Sequence, residues 1–209
     1  NLKDKDDLSK IVYEYRKAIA NMIYNQMKRH FIMKSTGYVK PKILPFGGII
    51  DQHIKEVEGY GRIDYRNDVQ PAHIRKFIYT GYMKSYYTEY KFDSKTELDF
   101  SFILENDGKV FKWLRPAKEQ FNIYWSNGSR RYEPDFVVET EHYIYMIETK
   151  AANEMTNEEV LMKKQAAEEY CRNATEYNLG NDGKAWKYVL MPHDKINKAS
   201  NFSFLVATN

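Results

Sequence analysis

The sequence predicts an α/β fold in which a helix, a three-stranded meander, a second helix and a further strand form the core, behind a basic, largely helical N-terminal lobe. Three observations lead there. Ser94-Lys95-Thr96-Glu97 and Thr156-Asn157-Glu158-Glu159 both have the spacing of a capping box ahead of residues at helical period. Runs rich in β-branched and aromatic residues lie between turn signals at 121–125, 136–138, 143–147 and 186–190. The chain has 209 residues, 43% of them hydrophobic and 15% aromatic, enough for one large or two small cores.

The elements follow in order. Leu8, Ile11, Val12, Tyr15, Ile19, Met22, Ile23 and Met27 recur at helical spacing with charges between them, predicting an amphipathic helix over residues 8 to about 34 whose apolar stripe is core. Gly37 to Pro45 reads as a break and Phe46-Gly47-Gly48 as a turn. From Pro71 to Phe92 periodicity does not separate helix from strand. Arg75, Lys76 and Lys84 alternate there with Tyr79, Tyr82, Tyr86 and Tyr87, an arrangement that could grip phosphates and stack on bases. Tyrosines packing the two lobes together is the simpler reading. The first capping box opens a helix through Leu98, Phe102 and Ile103 that Asn106-Asp107-Gly108 stops, and spacing alone gives Glu97 to the cap. Phe121–Trp125 reads as a strand, Ser126-Asn127-Gly128-Ser129 as a tight turn, and the strand carrying Asp135 follows, so that these two and the next form the meander. The second capping box opens a helix to about Thr175 with Val160, Ala167, Tyr170, Cys171 and Ala174 inward, and a strand over 186–190 closes the core. The domain boundary is expected between residues 91 and 92.

Charge and composition exclude several classes. The formal charge of +3 hides an asymmetry: residues 1–91 hold 17 Lys and Arg against 10 Asp and Glu, a surplus of +7, and residues 92–209 hold 15 against 19, or −4. A basic lobe beside a carboxylate-rich one suits a protein that holds a polyanion while a metal acts on it. Cys171 is the only cysteine, so an internal disulfide and a thiolate metal cage are ruled out and a reducing cytoplasm fits. No apolar run approaches the ~18–20 residues of a membrane span. No Gly-x-x-x-x-Gly-Lys-Ser/Thr phosphate loop occurs, so no nucleotide motor is expected within the chain. The five histidines show no ligand spacing. The chain starts with Asn in place of Met, which suggests a processed or excised fragment.

The chemistry concentrates between Arg130 and Lys150. Phe136-Val137-Val138 and Tyr143-Ile144-Tyr145-Met146-Ile147 flank the polar Thr140-Glu141-His142 as a hairpin. With a two-residue loop at Glu141-His142, Asp135 falls opposite Glu148. Side chains alternate along a strand, so Glu148 and Lys150 share a face and Thr149 points away. Two carboxylates opposed at about 4.5–5.5 Å between Cβ atoms repel unless a cation lies between them, and their hard oxygens suit Mg²⁺. The tripeptide Asp/Glu-x-Lys occurs five times and by itself decides nothing; only Glu148-Thr149-Lys150 ends an apolar strand with a Pro-Asp at the matching place on the strand before. A solvated hairpin end with an ordinary Glu-Lys pair explains the hairpin as well. Arg130 and Arg131 could steer a phosphodiester toward the site, and Lys163 lies on the early turns of the second helix where it could reach back to it.

Taken together, Phe92-Asp93-Ser94 with Glu97, Leu104-Glu105, Val110 through Trp113-Leu114-Arg115-Pro116, Arg131-Tyr132-Glu133-Pro134-Asp135-Phe136, Ile147-Glu148-Thr149-Lys150, and Lys163 ahead of Ala166-Ala167-Glu168-Glu169-Tyr170-Cys171 resemble the PD-(D/E)xK nuclease superfamily, and within it the C-terminal endonuclease domain of type III restriction enzyme restriction subunits. Residues 92 to about 192 carry the resemblance. It implies a restriction-endonuclease-like core and a Mg²⁺-dependent endodeoxyribonuclease acting on double-stranded DNA. Asp135 and Glu148 would hold the metal with the Thr149 carbonyl, Lys150 would orient or activate the attacking water, Glu97 would be the helix carboxylate, and Lys163 an accessory residue. Tyr170 stands where the family usually has Trp. The resemblance also implies an upstream ATP-driven helicase motor in the same polypeptide and a methyltransferase partner subunit that reads the target sequence. Two rivals remain open: a catalytically silent nuclease fold kept for docking or holding DNA, and a repair or junction-resolving nuclease of the same superfamily.

Overall fold

A computed structural model describes residues 5–30, 48–125 and 129–208, and the chain divides into two compact units, Asn1–Pro41 and Lys42–Asn209. In the first, the helical period is realised as α1, Lys5–His30. Its apolar stripe is not core. Leu8, Ile11, Val12, Tyr15, Met22, Ile23 and Met27 are all exposed, because a stripe becomes core only where another element packs on it, and among its described residues this unit has no second element. The expected extension to residue 34, the break at 37–45 and most of the Phe46-Gly47-Gly48 turn lie outside the described residues.

The second unit begins with β1 (Arg62–Asp64), β2 (Ile78–Thr80) and β3 (Glu89–Tyr90), a small sheet in which β1 runs parallel and β3 antiparallel to β2. The expected boundary at 91/92 is absent, and residues 48–91 are not largely helical. Tyr65, Ile74, Tyr79, Tyr82 and Tyr90 are buried in one core with Leu98, Phe100, Trp113 and Phe136. Most of the tyrosines therefore pack, in stacked and edge-on pairs such as Tyr65 on Tyr82 at 4.6 Å and Tyr90 on Trp113 at 5.1 Å between ring centres. The basic residues between them are engaged as well: Arg75 donates to the Asp93 carbonyl, Lys76 to the Tyr60 hydroxyl and the Lys84 Nζ to the Asp107 carbonyl.

Ser94 caps α2 (Lys95–Asn106), accepting from the Glu97 amide at 3.1 Å. A four-stranded sheet follows in the order β4 (Val110–Leu114), β7 (Phe136–Thr140), β8 (Tyr143–Lys150), β9 (Ala185–Pro192), and the hairpin β5 (Ile123–Trp125) with β6 (Arg130–Tyr132) stands apart as a two-stranded sheet. The meander's first strand is thus β4, not 121–125. A bulge between Val110 and Lys112 breaks the two-residue alternation of β4, which hides it from a periodicity reading. The hairpin register is the expected one: Phe136 pairs Ile147 and Glu139 pairs Ile144 around the two-residue loop Glu141-His142. The tight turn expected at 126–129 lies largely outside the described residues. Asn157, one residue later than expected, caps α3 (Glu158–Leu179), which crosses over to β9 running parallel to β8.

Alternation along the sheet sends Phe136, Val138, Ile147, Val189 and Met191 into the large core under α2, and Val137 and Met146 into a second core with Ala167 and Cys171 of α3, Phe121, and Ile123, Trp125 and Tyr132 of the hairpin. The Glu105 carboxylate, buried, accepts from the Lys84 amide and from Trp113 Nε1, both at 2.9 Å, which ties the segment before β3 to β4. Asn201 caps α4 (Phe202–Ala207), whose Phe202 is buried beneath α2 with its amide on Asp107 Oδ2. Among the described residues no helix is long and apolar enough to cross a membrane.

Candidate functional site

The last rung of the hairpin, Phe136 with Ile147, puts Asp135 and Glu148 at the next step, where β7 begins after Pro134 and β8 approaches its end. Asp135 sits in the bend before the strand, half-buried. Both donors to it use Oδ2: the Thr149 amide at 2.7 Å and the Thr149 hydroxyl at 2.8 Å. Thr149 therefore does not point away from the site; the bend lets Asp135 lie over the neighbouring strand and meet it. Among the described residues Asp135 Oδ1 keeps no hydrogen bond, which leaves a hard oxygen for a cation.

Glu148 is only 5% exposed. Lys150 Nζ lies 2.7 Å from its Oε1 and the Tyr132 hydroxyl donates to its Oε2 at 3.0 Å. Burial, with Asp135 close by, pushes the Glu148 carboxyl up to about 7, against the opposing pull of Lys150 and Tyr132. Burial works against the charge on Lys150, but Glu148 and Asp135 outweigh it and raise its pKa above the usual lysine value. The amine is a cation at neutral pH. Each carboxylate oxygen of Glu148 has one donor and a second lone pair, so Glu148 and Asp135 are the residues that could hold a small divalent ion retaining several waters. Among the described residues no group of three His, Cys, Asp or Glu side chains forms a fuller cage.

Glu97 lies on α2 within the field of Asp135, and it is held. Its Oε2 accepts from the Asp93 amide at 3.0 Å and meets Arg115 Nη2 at 3.0 Å. Burial raises the Glu97 carboxyl, and Arg115 is the main group pulling it back down. Capping and charge roles coincide here, as the Glu97 amide also completes the Ser94 cap. Arg130 pairs with Glu159 at 3.2 Å and Arg131 with Glu133 at 3.4 Å. Lys163 pairs with the same Glu159 at 2.8 Å, and it and Arg130 both lie over the Trp125 ring. Among the described residues no hydrogen bond or ion pair links Arg130, Arg131 or Lys163 to Asp135, Glu148 or Lys150. The structure thus brings Asp135, Glu148 and Lys150 together, holds Glu97 beside them through Arg115, and gathers Arg130 and Lys163 in a separate cluster.

Nothing in the sequence pattern marks a role for Arg115, Tyr132 or the Thr149 hydroxyl. Arg115 follows β4, the strand concealed by its bulge. Tyr132 ends β6, and its reach to Glu148 depends on how the small hairpin folds over the sheet. An apolar groove of about 460 Å³ lined by Phe121, Val137, Tyr170 and Trp186 opens on the α3 face, but none of the four candidate catalytic residues lines it. It is an extension of the second core. No protein-family model, curated protein or solved structure matches this chain.

Proposed function

We propose that residues 92 to about 192 are a PD-(D/E)xK-type endonuclease domain that hydrolyses DNA phosphodiester bonds with Mg²⁺, as part of a type III restriction subunit. The observation that carries this reading is the Asp135–Glu148 pair at the end of the β7–β8 hairpin with the Lys150 ammonium 2.7 Å from Glu148. Asp135 Oδ1 and Glu148 would hold the ion, which when bound lowers the pKa of its water and polarises a phosphoryl oxygen. Thr149 anchors Asp135 through two hydrogen bonds, and Tyr132 anchors Glu148, so both carboxylates are set before substrate arrives. Lys150, a cation at neutral pH, orients the attacking water and meets the negative charge that develops on the phosphorus oxygens. It is not the base. Arg130 and Lys163 offer contacts to the DNA backbone once phosphate displaces Glu159. Base readout belongs, in this reading, to a methyltransferase partner, and ATP-driven movement to a helicase motor in the same polypeptide.

The test is a Mg²⁺-dependent nicking assay on supercoiled plasmid. The wild type should nick and Asp135→Ala and Lys150→Ala should each lose at least about 100-fold of the rate, roughly 2.7 kcal/mol of transition-state stabilisation. If all three chains behave alike, the catalytic reading fails.

A further inference from the structure

Arg115 is a partly buried charge at this site that the proposed chemistry does not use. Its guanidinium donates to the Lys91 carbonyl through Nη1, and its Nη2 lies 2.7 Å from Asp93 Oδ2 and 3.0 Å from Glu97 Oε2. The ring of Phe92 lies beneath it, 5.7 Å from centroid to Cζ. Its side chain is 23% exposed and that of Glu97 12%, so the contact is mostly shielded from solvent. Asp135 acts electrostatically on both of them. The cation therefore stands among three carboxylates, on the α2 side of the site, as Lys150 stands beside Glu148 on the other.

Charge decides what this permits. Asp93, Glu97, Asp135, Glu148 and Glu154 supply five carboxylates, and Arg75, Arg115 and Lys150 supply three cations. Two negative charges remain when all are ionised, the charge of one divalent ion. A second ion would leave a surplus of two positive charges in a partly buried site, which is strongly unfavourable at low effective dielectric. Geometry agrees. Glu97 Oε2 is already paired with a guanidinium, whereas the groups that donate to Asp135 among the described residues are the neutral amide and hydroxyl of Thr149.

We infer that Arg115 supplies the second positive centre of this site, holding Glu97 and Asp93 out of metal coordination, so that the chain takes one divalent ion on Asp135 and Glu148 and not two. Arg115 is a positioning residue, acting through Glu97. The inference rests on the metal-centre reading above, and the experiment separates the two.

Calorimetric titration with Mn²⁺, repeated with Ca²⁺, in the absence of nucleic acid, should give one ion per wild-type chain. Arg115→Lys, which keeps the charge, should also bind one. Arg115→Met keeps the aliphatic stem and frees Glu97, and should bind two; adding Glu97→Gln to it should return the count to one. A merely structural role would lower the melting temperature of Arg115→Met and leave its count at one. Two ions on the wild type, or one on a folded Arg115→Met, overturns the inference and leaves the metal centre standing. If Arg115→Met does not fold, the wild-type count decides, one ion supporting and two refuting. A wild type that binds none removes the metal centre, and the Arg115 inference goes with it.

Discussion

Replacing Glu148 with Gln isolates the electrostatic cost of the buried carboxylate. In the folded chain its pKa stands at about 7 against an ordinary value of 4.5. At 1.36 kcal/mol per pKa unit this gap corresponds to about 3 kcal/mol. The folded state thus binds the proton more tightly than the unfolded one. The stabilisation is fully present below about pH 4.5 and is lost as pH rises through about 7. Urea unfolding of the metal-free protein, in EDTA, at pH 5 and pH 8 should therefore show the wild type losing up to about 3 kcal/mol more than Glu148→Gln over that interval. Adding Mg²⁺ at pH 8 should restore part of the difference to the wild type and none to the variant, since an ion that binds only the folded, ionised carboxylates stabilises by mass action. Stability curves for the two proteins that run parallel from pH 5 to 8 would refute the reasoning, because they would mean that Glu148 carries its charge without penalty.

Other perturbations reach different parts of the same framework. Tyr132→Phe keeps the ring in the second core and removes the donor to Glu148 Oε2, so it should destabilise by about 1–3 kcal/mol at pH 8, where Glu148 is ionised, and by clearly less at pH 5, read by urea unfolding at both. Glu105→Leu strands the Lys84 amide and Trp113 Nε1 without their acceptor and should lower stability by about 2–4 kcal/mol, with Trp fluorescence reporting the transition. Gly81 has φ +91°, and a Cβ there would stand 2.5 Å from Asp64 Oδ2, so Gly81→Ala should cost about 1–3 kcal/mol in thermal unfolding.

The parts of this protein visible in its sequence are the ones set by near neighbours. A two-residue loop between β-branched runs fixes hairpin register, since a slip of one residue would turn Phe136 and Ile147 from their core to the opposite face. That register brings Asp135 and Glu148 to the open end of the hairpin, one step beyond its last rung. Helix starts at Ser94 and near Asn157 are likewise settled within three residues by which side chain meets an orphan amide. Tertiary packing decided the rest. The bulged β4 took the meander's edge in place of residues 121–125, and so delivered Arg115 to Glu97. The β5–β6 hairpin set Tyr132 on Glu148. Tyrosines from the first 91 residues entered the same core as α2, while the stripe of α1, equally apolar in pattern, stayed exposed. Pattern records which side chains gain by leaving water. Which distant surface receives them depends on pairings and charges that lie far apart in the chain and meet only when it folds.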